Sequence, residues 1–321
     1  MVSANVYFSV LRSTAWGIVP HFLTHRAVLV NLGHNYNGCH SHPKFSRVHA
    51  MGSTDPSVEI MKKYPRISII TPSFNQGNFI EETILSVVSQ DYPDLEYLVM
   101  DGGSSDATLN VLKKYSGKIT WFSEADNGQT HAINKGLRRA TGSIVGYLNA
   151  DDLLLPGVLG KVAEAFIDDP QTWWVMGKCR IVDEENNEIR RPITVYKNIL
   201  LRLHSFSTLL MTNYISQPAT FWRREALESI GYLDENLRYV MDYEYWLRLY
   251  SKSPPVFIPE YLAAFKIHQS SKTTSTGHKD VYVDEEKIVV GRYVRSRFQM
   301  ILHDAHRLMM TFAYSLMNRG G

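Results

Sequence analysis

From residue 66 onward, apolar positions fall into short β-rich runs alternating with repeats of three to four residues. Ile67-Ser68-Ile69-Ile70-Thr71 reads as a strand closed by Pro72. Phe79, Ile80, Ile84, Val87 and Val88 then recur at helical spacing and predict a helix over about 79–90. Leu95–Met100 predicts a second strand, stopped by Asp101-Gly102-Gly103, with a helix over about 105–115 behind it. Ile119–Ser123 predicts a third strand and Gly128–Ala140 a helix. Ser143–Leu148 predicts a fourth strand, ended by Asn149-Ala150-Asp151-Asp152. Pro156 suits the first turn of a helix running to about 168.

Strands that alternate with helices of this length predict βαβ units and a parallel sheet. In such sheets ligands bind beyond the carboxyl ends of the strands. Each predicted strand ends in polar residues: Thr71–Asn75, Asp101–Ser105, Glu124–Asn127 and Asn149–Asp152. The four clusters are therefore expected to converge on one edge.

Beyond 170 the pattern is mixed. Trp173–Val182 and Pro218–Trp222 predict strands, and 186–216 is irregular with a helical piece near 197–211. A helix is expected over 240–250, an extended segment over Val256–Ile267, and a helical tail from about 280 to 318. Val294, Phe298, Ile301, Ala305, Leu308, Phe312 and Leu316 form one apolar stripe along that tail. The stripe is expected to pack on the domain or a partner helix, with shallow contact at a membrane surface as the second reading. Segment 4–32 is fairly apolar, but Arg12, His21 and Arg26 interrupt it, and its charge-free run 13–20 is too short to span a bilayer. Arg12 falls where a signal peptide needs an apolar core. Residues 1–64 are expected to be a poorly structured extension. Met51 and Met61 precede the first strand, so an over-extended reading frame is a second expectation.

Composition narrows the classes. The 321 residues carry 34 Lys+Arg against 32 Asp+Glu, a net charge of +2, with no basic block of the kind that grips nucleic acid. Two cysteines, Cys39 and Cys179, exclude a disulfide scaffold and a Cys-rich zinc site. Six of the twelve histidines lie within residues 1–64 without regular spacing, which argues against a metal site there. Asp151 and Asp152 are adjacent carboxylates at the expected ligand edge. They repel each other unless a cation or hydrogen-bond donor offsets the charge. Hard cations such as Mg²⁺ take oxygen ligands there and bridge to substrate phosphates. The structural alternative is an Asx turn capping the next helix.

Asn149–Asp152 resembles the D-x-D region of inverting family 2 nucleotide-sugar glycosyltransferases of GT-A fold. Further segments resemble that family in the expected order. They are Ile69–Asn75, Val99–Asp106, Asp126–Gln129, Ala132–Gly136, Ala140–Gly142, Gln217–Arg224, Gly231–Glu235, Met241–Glu244 and His268–Thr273. The resemblance covers about 66–273, and the subgroup it is most similar to serves bacterial surface polysaccharides such as O-antigen. It implies an α/β, GT-A-type, Rossmann-like and mostly parallel sheet flanked by helices. The implied division is a catalytic domain over 65–275 and a helical C-terminal tail over 276–321.

The resemblance also implies roles. Thr71, Pro72 and Phe74 would line the donor's base and ribose, and Asp101 would hydrogen-bond one of them. Gly102 stands where the family often has a second acid, and Ile133 where it often has Arg. Asn134 would help position the diphosphate, and Asn149, in place of the first Asp of D-x-D, would meet the ribose or a cation. Asp151 would ligate the metal, Mg²⁺ or Mn²⁺, His268 would be a second ligand or meet the diphosphate, and Lys272 would clamp a phosphate oxygen. Asp242 would be the base that takes the acceptor hydroxyl proton, with Glu244 next in line. Asp106 reads as a helix cap, and Gln217, Trp222 and Arg223 as residues facing the acceptor.

The expected activity is inverting sugar transfer from a nucleotide-diphosphate sugar to an acceptor hydroxyl in surface polysaccharide biosynthesis. The acceptor would be a glycan or lipid-linked, and the expected place the cytoplasm, with peripheral contact at the inner membrane face through the C-terminal helices. Two other classes stay open at this point. A nucleotidyltransferase would need a basic Gly-rich loop after the first strand, and Thr71–Gly77 has no basic residue. A sugar-nucleotide-binding protein without turnover is favoured by Asn149, Gly102 and Ile133. A dehydrogenase lacks its G-x-G-x-x-G after the first strand.

Overall fold

A computed structural model describes residues 64–269, 271 and 279–317. The extension expected over 1–64 lies, but for Tyr64, outside them, and so does Lys272. The first half alternates strand and helix: β1 Ile67–Ser73, α1 Ile80–Val88, β2 Leu95–Asp101, α2 Thr108–Lys114, β3 Thr120–Ser123, α3 Gln129–Arg139 and β4 Ile144–Tyr147. β2, β1 and β4 pair in parallel, with β3 parallel outside β2. All seven residues of β1 are buried, as its central place demands, since helices cover both faces of such a strand.

The second half adds β5 Leu153–Leu154, α4 Val158–Asp168, β6 Trp174–Val182, α5 Arg191–Arg202 and α6 Phe206–Met211. It continues with β7 Thr220–Arg223, α7 Arg224–Ile230, α8 Met241–Lys252 and β8 Val256–Lys266. The eight strands form one sheet in the order β3-β2-β1-β4-β7-β6-β8-β5. β7 runs antiparallel to both neighbours, β6 and β8 are parallel, and β5 is antiparallel to β8. Six strands thus share one direction and two oppose it, the mostly parallel sheet the pattern predicts.

The sheet separates two apolar cores. One face packs Ile70, Met100, Ile133, Leu137, Trp174, Trp222 and Trp246 under α3 and α8. The other packs Ile67, Ile69, Ile84, Leu112, Val162 and Phe166 under α1, α2 and α4. Trp174 stacks on Trp246 at 6.0 Å between centroids, and Trp222 meets Trp246 edge-on at 5.8 Å. Each buried aliphatic side chain contributes roughly 1.5–3 kcal/mol.

The expected C-terminal helical tail is present. It is two helices, α9 Lys279–Gly291 and α10 Arg297–Met317. Val289 and Val290 of α9 enter the first core with no exposed surface. On α10 the apolar stripe faces outward: Phe298, Ile301, Leu308 and Phe312 are 63–66% exposed, while His303 and His306 are buried. Hydrogen-bonding partners explain the inversion. His303 Nδ1 lies 3.0 Å from the Leu210 carbonyl, and His306 Nε2 lies 2.5 Å from the Tyr196 hydroxyl.

Gly136 sets how closely α3 lies on β1. A Cβ there would run into the Ile70 side chain and sit 3.1 Å from Met100 Cγ. Gly136→Ala is therefore expected to lose about 1–3 kcal/mol by overpacking, despite alanine's better helix propensity. A urea midpoint equal to or above that of the wild type would contradict this.

Candidate active site

The four polar strand ends meet, and backbone and side-chain hydrogen bonds tie them together. Gly102 N donates to the Ser73 carbonyl at 2.8 Å, and Glu124 N to the Asp101 carbonyl at 3.0 Å. Asn75 N donates to Ser104 Oγ and Ser105 N to Asn75 Oδ1. Gln129 Nε2, at the start of α3, donates to Asn149 Oδ1 at 2.7 Å. Asp106 accepts from Thr108 N and Gly77 N at 2.9 Å each, which makes it a cap for α2. Those hydrogen bonds hold its carboxyl below the usual range against the opposing effect of burial.

The Asn149–Asp152 turn holds a second group of contacts. Asp152 is fully buried. Its carboxylate accepts from Lys266 N and Asn149 Nδ2 at 3.0 Å each, and its carbonyl accepts from Thr83 Oγ1 at 2.9 Å. Burial, and next the neighbouring Asp151 charge, push the Asp152 carboxyl well above its ordinary value. Asp151 points the other way. Its Oδ2 lies 3.0 Å from Nε2 of His268, whose ring stacks on Phe79 at 4.1 Å. The pairing of β5 with β8, Leu153 opposite Ala264, brings these two residues together.

The Asp151 carboxylate is an oxygen ligand of the kind hard cations take, whereas the His268 imidazole suits softer, transition-metal cations. Among the described residues no group of three or more His, Cys, Asp or Glu forms a closed metal cage. Asp151 and His268 bring two side chains of ligand type together and, among those residues, no third.

The other candidates are placed as follows. Thr71 is buried, with its hydroxyl 3.0 Å from the Tyr97 hydroxyl, and Pro72 is buried beside it. Phe74 is 60% exposed at the mouth of the strand ends. Asp101 is 1% exposed and committed to its own loop. It accepts from Gly103 N at 3.1 Å, Ser104 N at 2.9 Å, Ser104 Oγ at 2.5 Å and Ser123 Oγ at 2.6 Å. Asn134 ties α3 to the chain before α8, with Nδ2 donating to the Leu233 carbonyl and Glu235, and Oδ1 accepting from Leu233 N. Trp222 lies in the core, and Arg223 donates to the Thr172 and Phe166 carbonyls.

Asp242 and Glu244 differ in state. Glu244 is 3% exposed and receives Arg248 Nε and Nη2 at 2.8–3.0 Å, with Arg292 at 3.6 Å. Asp242, in the first turn of α8, is half-buried and accepts from Tyr243 N at 2.6 Å. Burial raises its carboxyl to about 6, against the opposing pull of the Tyr243 N–H and the Lys197 ammonium. The turn before α8 is pinned by Glu285 of α9, which accepts from Arg238 N, Tyr239 N and Val240 N at 2.8–3.3 Å.

Two further residues were not singled out in the sequence. Lys197 of α5 donates to Ser216 Oγ at 3.0 Å; burial lowers its ammonium, while Cys179 and Asp242 act the other way. The Tyr147 hydroxyl is buried without a hydrogen-bond partner among the described residues. Burial, then the Asp242 and Asp152 charges, push that phenol well above its ordinary value. Its main chain is fixed by Gln217 Nε2, 2.5 Å from the Tyr147 carbonyl. Lys197 lies in a stretch of weak periodicity, and Tyr147 reads as strand core, so neither carries a sequence signal.

This sheet and its strand-end site define an α/β fold of GT-A type. The sequence profile described as "Glycosyl transferase family 2" matches residues 68–231, just over half of the chain, and the protein belongs to that family. It is 24% identical over 261 residues to an uncharacterized glycosyltransferase of Rickettsia prowazekii, covering 80% of this chain and 81% of the relative. It is 27% identical over 226 residues to a GalNAc(5)-diNAcBac-PP-undecaprenol beta-1,3-glucosyltransferase of Campylobacter jejuni, covering 68% and 70%. Among solved structures, the mannosyltransferase PcManGT of Pyrobaculum calidifontis, in complex with GDP-Man and Mn²⁺, superposes with a TM-score of 0.60. The identity is 23%, over 77% of this chain and 70% of that one. S. aureus TarS 1–349 in complex with UDP-GlcNAc gives 0.55 at 20% identity, over 70% of this chain and 65% of that one. These likenesses show the fold.

A raised carboxyl has a consequence for stability. Asp242 binds its proton more tightly folded than unfolded, so its neutral form stabilises the fold below about pH 4. That contribution is lost as pH rises through about 6. Asp242→Asn removes the ionisation. Its Tm is expected to exceed that of the wild type at pH 7.5 and to match it near pH 4. An equal difference at both pH values would refute the assignment.

Proposed function

We propose that the chain is an inverting, metal-dependent glycosyltransferase that moves a sugar from a nucleotide-diphosphate donor to an acceptor hydroxyl. The observation that carries this reading is the contrast among the acids at the site. Asp101, Asp152 and Glu244 are buried and committed, whereas Asp242 is half-buried with a carboxyl near 6, suited to a base working at neutral pH. The donor complexes of the two solved relatives, with GDP-Man and with UDP-GlcNAc, support the donor class.

In the proposed reaction the acceptor O–H proton passes to the Asp242 carboxylate as the oxygen bonds to the anomeric carbon. The bond from that carbon to the nucleotide diphosphate breaks on the opposite face, and the electron pair leaves with the diphosphate. Asp151 and His268 would hold a divalent cation, which when bound neutralises charge on the departing diphosphate. The Lys197 ammonium favours ionised Asp242, so it keeps the base in its working form. The diphosphate role implied for Asn134 drops out, because both of its side-chain polar atoms are committed to the 233–235 segment.

A role in surface polysaccharide assembly, with a glycan or lipid-linked acceptor, rests on the resemblance and on the printed activity of the Campylobacter relative. Among the described residues no helix is long and apolar enough to cross a membrane. The outward stripe of α10 supports peripheral contact at the inner membrane face instead. Co-sedimentation with anionic vesicles is expected for the wild type and not for a Phe298→Ser, Phe312→Ser double variant; equal sedimentation would refute that contact.

The test of the reaction is a donor screen across UDP-, GDP- and dTDP-sugars with Mn²⁺ or Mg²⁺. Turnover with the selected donor is expected to stop with chelator. It is also expected to fall by roughly 10²–10⁴ in Asp242→Asn. The kcat/KM of the wild type should fall as pH drops below about 6, where Asp242 takes up its proton. Lys197→Met should move that limb to higher pH. Full turnover by Asp242→Asn would remove the base assignment, and chelator-insensitive turnover the metal assignment.

A further inference from the structure

We infer that Asp126, and not Asp101, reads the donor's base, accepting the ring N–H of a lactam base such as uracil, thymine or guanine. The inference rests on the nucleotide-sugar reading above and makes its donor site specific.

The argument starts from a missing side chain. Gly102 follows Asp101 at the end of β2, and its N–H is fixed to the Ser73 carbonyl at the end of β1. A Cβ on Gly102 would lie 2.7 Å from Asp126 Oδ2 and 3.1 Å from its Cγ. Real side chains do not pack that closely, so the Asp126 carboxylate fills the space that any residue other than glycine would need at 102. A carboxylate is thus restored at the strand end, delivered from the loop after β3 instead of from β2.

The two acids are not equivalent acceptors. All four donors around Asp101 come from its own loop and from Ser123, and the side chain is 1% exposed. Asp126 is half-buried. Its Oδ1 accepts from Gly128 N at 2.7 Å, which fixes the carboxylate's orientation at the start of α3. Its Oδ2 has no donor among the described residues. A carboxylate so fixed selects a ring N–H and disfavours the ring-nitrogen lone pair that adenine and cytosine present at that edge. A charge-assisted bond of this kind is about twice as strong as a neutral one. Exposed Phe74, next to Ser73, offers a face on which a base can stack.

The experiment is calorimetric binding of UDP, GDP, dTDP, CDP and ADP, each with Mg²⁺, to the full chain. The wild type is expected to prefer one of UDP, GDP and dTDP over CDP and ADP. Asp126→Ala should weaken the preferred nucleotide at least tenfold and level the five. Gly102→Ala, which displaces Asp126 without altering it, should do the same. Circular dichroism and Tm confirm that each variant is folded. Unchanged preference in folded Asp126→Ala would overturn the inference and leave the proposed function intact. A wild type that prefers CDP or ADP would overturn it as well. No binding of any nucleotide by the wild type would instead overturn the donor class itself.

Discussion

The site depends on one buried carboxylate. Asp152 sits with no exposed surface where the end of β4, helix α1 and strand β8 come together. An acid in that position is costly unless every acceptor is satisfied, and burial accordingly drives its carboxyl toward the neutral form. Its bonds to Lys266 N, Asn149 Nδ2 and, through its carbonyl, Thr83 Oγ1 close the junction. The two-residue strand β5 then pairs with Ala263 and Ala264. That register fixes the end of β8, so that His268 arrives beside Asp151, 117 residues away in sequence. Lys266 is held by Glu82 of α1 at 2.6 Å, a second tie between α1 and β8 at the same junction.

The second anchor is supplied by α9. Three consecutive N–H groups before α8 point at the Glu285 carboxylate, and the first turn of α8 carries Asp242. Val289 and Val290 fix α9 in the core, and Arg292 reaches both Asp234 and Glu244. The C-terminal helices are thus not an appendage: α9 sets the angle at which α8 enters the site. Asp242 is left with burial as its dominant influence because Glu244, two residues on, absorbs the arginines.

The first half of the fold was legible because parallel strands and amphipathic helices write themselves in apolar periodicity. Ile67–Ile70 and the Ile80–Val87 repeat each report the face they bury. Strand β5 was not legible, since two residues carry no period. Helix α7 was hidden behind Arg224, Glu225 and Glu228, which leave only Ala226 and Leu227 buried. The tail shows a different failure. Its stripe has the right period, but the face buried on the domain is chosen by His303 and His306, whose ring nitrogens find Leu210 and Tyr196. Periodicity ranks faces by hydrophobicity alone and does not register a polar group that finds a buried partner. At the site, the roles proposed for Asp151, His268 and Asp242 come from the resemblance, whereas the commitments of Asp101 and Asn134 show only in three-dimensional contacts.

Those commitments explain how a chain with a net charge of +2 manages so many acids in one place. Adjacent carboxylates raise each other's pKa unless donors or cations intervene. Here each acid has its own partner set: backbone and serine donors for Asp101, Lys266 N for Asp152, His268 for Asp151, arginines for Glu244 and Gly128 N for Asp126. The named partners all differ, so no two of these acids compete for one donor. Asp242 alone has burial as the first cause of a shift that stops near neutrality. Buried fully, like Asp152, its carboxyl would be pushed well above its ordinary value; a cation paired directly with it would oppose that rise. The half-buried position at the start of α8, with Lys197 acting without a direct ion pair, lies between those limits.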